Sequence, residues 1–309
     1  MYDVIIAGGG PAGLQAALTL GRARRRVLLC DSGEPRNAVT GVVHGFLSRD
    51  AVDAVELRRI AREELGRYPT VELRDVAIED AQRADDSFAV TLADGTEETA
   101  AKLVLATGVV DELPRIPGLE ELWGRAAFHC AYCDGFERSD RPIGVIDSGE
   151  TAGVYGLQLT KWSSDVVLCT NGADELPDED HARLSARGAI VRGEPIDRLE
   201  GAGDGARIVF ADGQPLERHA IFIKPPTRQR SELAARVGCN VLDDGSVEVN
   251  ELGQTTVPGV YAAGDMARRP AMPFPAAQVI HAASSGGVAA VGADRELLLA
   301  EVEAAAPRG

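Results

Sequence analysis

The sequence has no long apolar run and no excess of positive charge, and each deficit excludes a class of protein. No stretch approaches the ~18 consecutive apolar residues that a membrane-spanning helix needs. The chain carries 32 basic and 48 acidic side chains, a formal net charge of -16 that repels nucleic-acid phosphates and anionic membranes. Met1 leads directly into an apolar segment, with no room for a secretory signal peptide, so we expect a cytoplasmic protein.

Cysteine is also scarce, with five residues in the chain, two of which stand close together. Cys130 and Cys133 form a Cys-x-x-Cys pair, which in a chain without a secretory signal is usually a redox switch or half of a zinc site. Zinc needs two more ligands, and no second pair supplies them. We therefore expect no metal, and interpret the other cysteines as buried small hydrophobic residues: Cys30, Cys169 and Cys239.

The first 31 residues have the order of a dinucleotide-binding unit. A predicted strand, Tyr2–Ala7, runs into a Gly-x-Gly-x-x-Gly turn, which is followed by a predicted helix and a second strand. Gly8 permits the tight turn, Gly10 lets the backbone approach a pyrophosphate, and Gly13 lets the helix pack closely on the strand. Asp31 ends the second strand, where it can accept hydrogen bonds from a ribose.

The remaining pattern predicts a second domain inserted into the first. Leu103–Gly108 and Thr255–Asp265 each end a strand, and we expect both strands in one sheet. Between them, a strand over Ile143–Ile146, a turn, a helix to about Trp162 and a strand over Val166–Cys169 repeat the first arrangement. The 309 residues suit about two domains. The predicted fold class is α/β, with two Rossmann-like doubly wound domains and boundaries at 1–111, 112–242 and 243–309.

These residues together resemble the low-molecular-weight thioredoxin reductase family of flavoproteins. The motifs that carry the resemblance span nearly the whole chain: Gly8–Gly13, Ala106–Gly108, Cys130–Gly135, Gly264–Asp265 and Gln278. In that family FAD lies along the first domain, the cysteine pair is near the flavin ring, the inserted domain holds NADPH, and chains pair as homodimers. The resemblance implies a homodimeric flavoenzyme with FAD as its cofactor.

The resemblance also implies where FAD binds. Asp31 would bind the adenosine ribose, Asp265 the ribitol, and the helix start at Gln278 would face the pyrimidine end of the flavin, where negative charge develops on reduction. The complete set of expected cofactor-binding residues is Gly8, Gly10, Pro11, Ala12, Gly13, Asp31, Asn37, His44, Val76, Gly108, Gly264, Asp265, Gln278 and Val279.

The second turn departs from the family pattern. Family members that use NADPH have Gly-Gly-Gly-Asp-Ser-Ala there and a His-Arg-Arg-x-x-x-Arg segment after the next strand. This chain has Asp147 and Glu150 in the turn, and no arginine in residues 169–176. Losing two arginine contacts, at ~1.5–3 kcal/mol each, weakens NADPH binding by roughly a hundred- to ten-thousand-fold. The alternative is sequence drift in a site that still works.

These departures favour electron flow from sulfur to flavin, as in the dithiol oxidases of the holomycin and gliotoxin type, which this sequence resembles. In the implied reaction, which belongs to antibiotic biosynthesis, a small dithiol attacks Cys130 and leaves as a cyclic disulfide. Cys133 then passes two electrons to FAD, and dioxygen becomes hydrogen peroxide. Asp134 is the expected proton acceptor, and His129 is a second candidate. His44 and His281 border the expected flavin site.

Two alternatives remain open at the level of sequence. The first is a disulfide reductase that acts on thioredoxin-like partners and is driven by NADPH or by a protein donor such as ferredoxin. The second is a flavin-binding redox sensor whose disulfide only changes shape. Substrate turnover with oxygen uptake would distinguish the oxidase from both.

Overall fold

A computed structural model describes residues 1–149, 151–172 and 175–305 of the chain. The chain divides into two compact units. The first contains residues 1–38, 46–110 and 227–309, and the second contains residues 39–45 and 111–226. Glu150, predicted in the second turn, lies outside the described residues, as do residues 173–174 and 306–309.

The described strands, in chain order, are β1 (Tyr2–Ala7), β2 (Val27–Cys30), β3 (Val42–Val43), β4 (Val52–Asp53), β5 (Val71–Arg74), β6 (Ile78–Ala84), β7 (Ser87–Leu92), β8 (Glu97–Leu105), β9 (Val109–Asp111), β10 (Ala127–Phe128), β11 (Ile143–Ile146), β12 (Val166–Cys169), β13 (Ile190–Arg192), β14 (Ile196–Ala202), β15 (Gly205–Phe210), β16 (Pro215–Arg218), β17 (Ala220–Ile223), β18 (Thr227–Gln229), β19 (Val247–Glu248), β20 (Val260–Ala262) and β21 (Ala267–Arg268). The described α-helices are α1 (Pro11–Arg22), α2 (Ala54–Leu65), α3 (Leu119–Leu122), α4 (Ala131–Asp134), α5 (Ala152–Leu159), α6 (Asp178–Ala186), α7 (Leu233–Val237) and α8 (Val279–Ala305).

The first unit is built on a seven-stranded sheet in the order β5-β2-β1-β8-β7-β6, with β20 also paired to β8. Strands β5, β2, β1, β8 and β20 are parallel. In register, Ala7 pairs with both Cys30 and Leu105, and Leu105 pairs with Ala262. The carboxyl ends of four strands therefore meet at one edge, which is where open α/β sheets bind ligands.

Apolar side chains fill both faces of this sheet, as expected for parallel strands covered on two sides. Val4, Ile6 and Val104 point to one face and pack with α1 and α8, whereas Ile5, Leu28 and Leu103 point to the other face. The α2 helix starts at Ala54 because the Asp53 carboxylate accepts hydrogen bonds from two backbone amides, at 2.9 Å each.

The second unit has a five-stranded parallel sheet in the order β10-β17-β11-β12-β13 and a three-stranded antiparallel sheet, β14-β15-β16. Ile146 pairs in register with Cys169 and Ile223, and Cys169 pairs with Arg192. The carboxyl ends of these strands therefore also share one edge. The predicted strands over residues 143–146 and 166–169 have the bounds of β11 and β12, and the predicted helix between them ends at Leu159 instead of Trp162.

Two segments differ from the predicted domain boundaries. Residues 227–242, expected in the insertion, group with the first unit. Leu233, Ala234 and Cys239 explain this, because they pack into the same buried cluster as Ile5 and Leu28. Residues 39–45, expected in the first domain, group with the second unit. Within the described chain, no helix has both the length and the apolar composition to cross a membrane, including the 27-residue α8.

Candidate flavin and thiol–disulfide site

The Gly-x-Gly-x-x-Gly turn connects β1 to α1 at the shared carboxyl edge of the first sheet. Gly8 has φ +106°, and a Cβ there would lie 2.3 Å from the Ala106 carbonyl oxygen. A Cβ on Gly13 would lie 1.8 Å from the Gly8 carbonyl oxygen. In contrast, a Cβ on Gly10 would meet no atom within 4 Å. The turn is therefore tightly packed on the protein side and open on the ligand side.

The start of α1 suits an anion. Pro11 is its first residue, and no side chain in the described structure caps the helix at Gly10. The first amide groups of the helix can therefore donate to a phosphate. A cavity of about 230 Å³ opens beside the turn and is lined by Gly9, Gly10, Pro11, Asn37 and Arg58, and by apolar side chains from α1 and α2. Gly10, Pro11 and Asn37 were predicted to bind the cofactor, and Gly9 was not.

Asp31 follows β2 at the same edge and is 6% exposed. Its carboxylate accepts hydrogen bonds from the Gly33 amide at 3.0 Å, from Arg58 and from Arg62 at 3.3 Å. The two arginines belong to α2, and nothing in the sequence pattern indicated their role. An Arg-rich stretch of an amphipathic helix usually predicts only a solvated surface.

The C-terminal part of the first unit completes this edge. The Asp265 carboxylate lies 2.9 Å from the Arg36 guanidinium, and the Gly264 amide donates to the Ser285 hydroxyl at 3.0 Å. The α8 helix begins directly after Gln278, whose carbonyl oxygen accepts from the Ala282 amide at 2.8 Å. The first turn of a 27-residue helix is therefore at the predicted position, Gln278–Val279.

Three other predicted cofactor residues occupy different surroundings. Val76 packs against the buried cluster of the first unit. Gly108 has φ +70°, and its carbonyl oxygen accepts from the Arg230 amide at 3.1 Å. His44 groups with the second unit, where its Nδ1 lies 3.4 Å from a carboxylate oxygen of Glu137. The structure therefore gives His44 a contact beside the cysteine pair, which the sequence did not indicate.

The cysteine pair lies at the start of the short helix α4. A disulfide joins Cys130 to Cys133. Cys130 is the N-cap residue, and its Sγ and carbonyl oxygen both lie 3.1 Å from the Cys133 amide nitrogen. The amide of Asp134 also donates to the Cys130 carbonyl at 3.1 Å. One helical turn thus holds both sulfur atoms and the carboxyl group that follows them.

Burial raises the pKa of Asp134 to about 6. The neighbouring side chains of Arg138 and His44 oppose this shift in pKa, and that of Glu137 adds to it. A carboxyl group with a pKa near the working pH can both accept and return a proton. This supports the prediction that Asp134 is the acid–base group of the cysteine pair.

His129 precedes the pair and is held from two sides. Its carbonyl oxygen accepts from the Tyr155 hydroxyl at 2.9 Å, and its ring centroid lies 6.0 Å from that of Trp123. Burial raises the pKa of Tyr155, so this phenol stays protonated at physiological pH. His281 lies in the first turn of α8 in the other unit, and His181 lies in α6.

An aromatic rim surrounds the helical turn that carries the disulfide. We define it as Tyr132, Phe136 and Trp162. Tyr132 is 65% exposed and Phe136 is 79% exposed, and the Tyr132 and Trp162 rings meet edge to face with centroids 5.9 Å apart. A Cβ on Gly135 would lie 3.0 Å from the Trp162 ring, so glycine allows the indole to pack under the turn. Exposed aromatic side chains beside a reactive sulfur can bind an apolar ligand.

The second nucleotide-type turn has a different electrostatic character. The Asp147 carboxylate accepts from the Gly149 amide at 3.1 Å, which places negative charge just after β11. A Cβ on Gly153 would lie 2.4 Å from the buried carboxylate of Asp180, which pairs with Arg183 at 3.3 Å. One carboxylate, that of Asp147, thus lies in the turn before α5, and a second, that of Asp180, packs against the first turn of this helix.

Two cations at this edge were not predicted. Arg192 ends β13, and its guanidinium donates to both carboxylate oxygens of Glu194, at 3.2 and 2.9 Å. The same guanidinium lies 3.8 Å from the ring centroid of Phe210. Arg192 is therefore already engaged on two sides. Lys224 follows β17 and is exposed.

The three remaining cysteines are buried, as predicted. Burial raises the pKa of Cys30 and of Cys169 to about 12 and raises that of Cys239, so all three stay thiols. In the part of the chain that the structure describes, no group of three or more His, Cys, Asp and Glu side chains could hold a metal ion.

Comparison with known proteins establishes the family. The chain belongs to the pyridine nucleotide-disulphide oxidoreductase family, whose model matches residues 2–287. It is 35% identical to the thioredoxin reductase tcpT of Claviceps purpurea over 280 residues, covering 86% of each chain. An oxidoreductase structure from Agrobacterium tumefaciens is 39% identical with a TM-score of 0.90, covering 96% of this chain and 99% of the other. The crystal structure of HlmI is 38% identical with a TM-score of 0.90, covering 98% and 95%.

The family membership confirms three predictions. The fold is of the two-domain thioredoxin reductase type, the chain is an enzyme that acts on thiols and disulfides, and its cofactor is FAD. The site fits this cofactor, because the open face of Gly10, the uncapped start of α1 and the buried Asp31 lie along one edge of the first sheet. The roles of individual residues stay predictions.

Proposed function

We propose that this chain is an FAD-dependent dithiol oxidase that closes an intramolecular disulfide in a small dithiol natural product. Dioxygen is the electron acceptor and hydrogen peroxide the second product. The observation that carries the proposal is the contrast between an intact cysteine pair, with its acid and aromatic rim, and a second nucleotide turn flanked by carboxylates.

The electrostatics of the second turn support electron entry through sulfur. A pyrophosphate at the start of α5 would approach the carboxylate of Asp147 in the preceding turn. Arg192, which ends β13 beside the end of β12, would first have to leave Glu194 to bind a 2′-phosphate. These contacts disfavour tight binding of NADPH at this edge, whereas the cysteine pair is already in place for oxidation of a dithiol.

The cysteine pair can carry out the thiol chemistry as it stands. A substrate thiolate attacks Sγ of Cys130, breaks the enzyme disulfide and releases Cys133 as a thiolate. The second substrate thiol attacks the substrate sulfur of this mixed disulfide, which releases the cyclic disulfide and leaves both enzyme sulfurs reduced. Two electrons have then moved from substrate to enzyme, and Asp134 accepts a proton released by the substrate. Bound FAD supplies the two-electron acceptor that restores the disulfide and delivers the electrons to dioxygen.

The aromatic rim supports a small substrate. Two exposed rings offer an apolar area suited to one planar ring system. A stable protein partner buries about 800 Å² on each side, which is more than these side chains provide. We further infer that the enzyme works in the cytoplasm as a homodimer, as the family resemblance implies.

Disulfide reduction is the second candidate, because the curated relatives are described as thioredoxin reductases. In that case NADPH or a protein donor would reduce FAD, and electrons would leave through Cys130 and Cys133. Rapid mixing with NADPH distinguishes the two functions, since bleaching of the flavin at micromolar NADPH would support the reductase.

The decisive experiment is an oxygen-electrode assay with a panel of small dithiols. The native enzyme should consume one O₂ and form one H₂O₂ for each disulfide made, and Cys133→Ser should abolish turnover. Cys239→Ser is the matched control, because this buried sulfur already contacts the Thr255 hydroxyl at 3.5 Å and a serine can keep that contact. Unchanged oxygen uptake in Cys133→Ser would refute the proposed route.

A further inference from the structure

Arg58 connects the two parts of the glycine-turn site. Its Nη2 donates to the Asp31 carboxylate, and its Nε lies 3.4 Å from the carbonyl oxygen of Gly9. The side chain extends from α2, 27 residues beyond Asp31 in the chain, and its own exposure is 25%. One guanidinium thus touches both the acid expected to bind the ribose and the backbone expected to face the pyrophosphate.

The cavity beside the turn makes this contact accessible to a ligand. Gly10, Asn37 and Arg58 line it together, and two arginines, Arg49 and Arg58, are among its described lining residues. Arg49 donates to the carbonyl oxygen of the adjacent Ser48 at 3.1 Å, whereas Arg58 is directed to the turn itself. The chain has a net charge of -16, which repels a diphosphate, and a cation held at this point offsets that repulsion locally.

We propose that Arg58 is an FAD-binding residue that holds Asp31 in position for the ribose and supplies positive charge to the diphosphate. A guanidinium suits both tasks, because it donates several hydrogen bonds in one plane and keeps its charge at all physiological pH values. Asp31 is also held by the Gly33 amide and Arg62, so its carboxylate keeps partners when Arg58 is removed. The proposal depends on FAD as the cofactor and not on the direction of electron flow.

Arg59 provides a matched control on the same helix. It pairs with Glu56 and Glu63 on the exposed side of α2, and it is 51% exposed. Replacing Arg58 or Arg59 by methionine therefore removes the same charge from the same helix and keeps a long side chain. Only the Arg58 variant removes a contact with the turn or with Asp31.

The experiment measures binding of FAD, ADP and adenosine to apoprotein by equilibrium dialysis. Loss of a charge-assisted contact predicts that Arg58→Met binds FAD and ADP about ten- to a hundredfold more weakly, while Arg59→Met stays within about twofold of the native protein. Adenosine, which lacks the diphosphate, should lose less affinity than ADP. Arg58→Lys should recover part of the ADP affinity, since it restores the charge without the planar fork.

Several results would overturn the proposal. FAD affinity in Arg58→Met within about twofold of the native value would remove the binding role, and an equal loss in Arg59→Met would show a general effect on α2. Equal losses for ADP and adenosine would show that the charge does not act on the diphosphate. Thermal unfolding of each apoprotein sets a temperature at which all variants are folded, so that weaker binding is not mistaken for unfolding.

Discussion

Both units contain parallel strands whose carboxyl ends share one edge, and the two units differ in the side chains at that edge. In the first unit, the edge after β1 has an open Gly10 and an arginine that reaches the turn. In the second unit, the edge after β11 has Asp147 at the turn and Asp180 against Gly153. A doubly wound sheet thus provides a place for a nucleotide, and the side chains at its carboxyl edge decide whether a nucleotide can bind there.

The second unit is not simply a degraded copy of the first. Its glycine turn is poorly suited to a pyrophosphate, yet its cysteine pair has a disulfide, a carboxyl group with a raised pKa and exposed aromatic rings. We expect this combination, an altered nucleotide turn and a retained cysteine pair, if the second unit exchanges electrons through sulfur and no longer through a nicotinamide.

The largest expected effect comes from adding one methyl group to each glycine turn. Gly13→Ala should weaken FAD binding by about a hundredfold or more, because the new Cβ would lie 1.8 Å from a backbone oxygen and must displace α1 from β1. Gly149→Ala should leave FAD content unchanged, since its nearest atom is at 3.7 Å. The flavin absorbance of the purified variants gives the comparison, and retention of FAD by Gly13→Ala would show that the first turn does not need its close packing.

A second test concerns the acid beside the disulfide. Asp134→Asn should slow reduction of the enzyme by a dithiol by roughly a hundredfold above pH 7, where the native carboxyl has lost its proton and can act as a base. Because burial raises the pKa of Asp134 to about 6, the ratio of native to variant rates should fall toward one between pH 7 and 5. Stopped-flow rates across this range measure the ratio, and a constant ratio would exclude Asp134 as the base.

The same substitution predicts the sign of a stability change. The folded-state pKa of Asp134 is higher than the ~3.9 of an unfolded aspartate, so the folded protein binds more protons between pH 4 and 6, and ionisation destabilises it above that range. Asp134→Asn should therefore be more stable than the native protein at pH 8, and this difference should vanish near pH 4. Thermal melts at both values test it, with Asp86→Asn as the control, because this substitution removes a carboxyl group that is exposed.

A third test asks whether the second turn can recover a nucleotide. Glu194→Ala should release Arg192 and strengthen NADPH binding by about tenfold at most, the worth of one weak charge-assisted hydrogen bond. Glu217→Ala, which removes the partner of Arg207 on the antiparallel sheet, is the control. Isothermal titration with NADPH provides the measurement. Micromolar affinity of the native protein for NADPH would show that the second turn binds a nucleotide, which would contradict the difference inferred between the two turns.

The sequence predicted the features that depend on local backbone geometry. Gly8 and Gly13 are required where no Cβ fits, and a Cys-x-x-Cys spacing brings two sulfurs together within one helical turn. The position of Asp31 followed from the end of a strand, whereas that of Gln278 came from the family resemblance. A few neighbouring residues determine each of these local features, so a single sequence is enough to predict them.

Pairings between distant residues could not be predicted in the same way. Arg58 reads as a surface residue of an amphipathic helix until packing brings it to Asp31. Glu194 contacts Arg192 from two positions away, but the second contact of Arg192 is with Phe210, which belongs to a different sheet. His44 contacts Glu137 far along the chain. Tertiary packing determines such contacts, and the local pattern carries no signal for them.

The smallest expected effect concerns the aromatic rim. This rim gives the second unit an apolar surface for a small substrate, whereas its nucleotide-type turn is less suited to a ligand. Tyr132→Ser removes an exposed ring that can pair with an apolar ring of the substrate, and one aromatic pair is worth ~0.5–1.5 kcal/mol. The KM for a dithiol fused to an apolar ring should therefore rise about two- to tenfold more than the KM for dithiothreitol, and Tyr132→Phe should restore the native ratio because it keeps the ring. Oxygen-uptake kinetics with the two substrates measure this ratio. Equal changes in the two KM values would show that the rim supports the helical turn without selecting the substrate. That result would favour a thioredoxin-like protein as the partner of the disulfide.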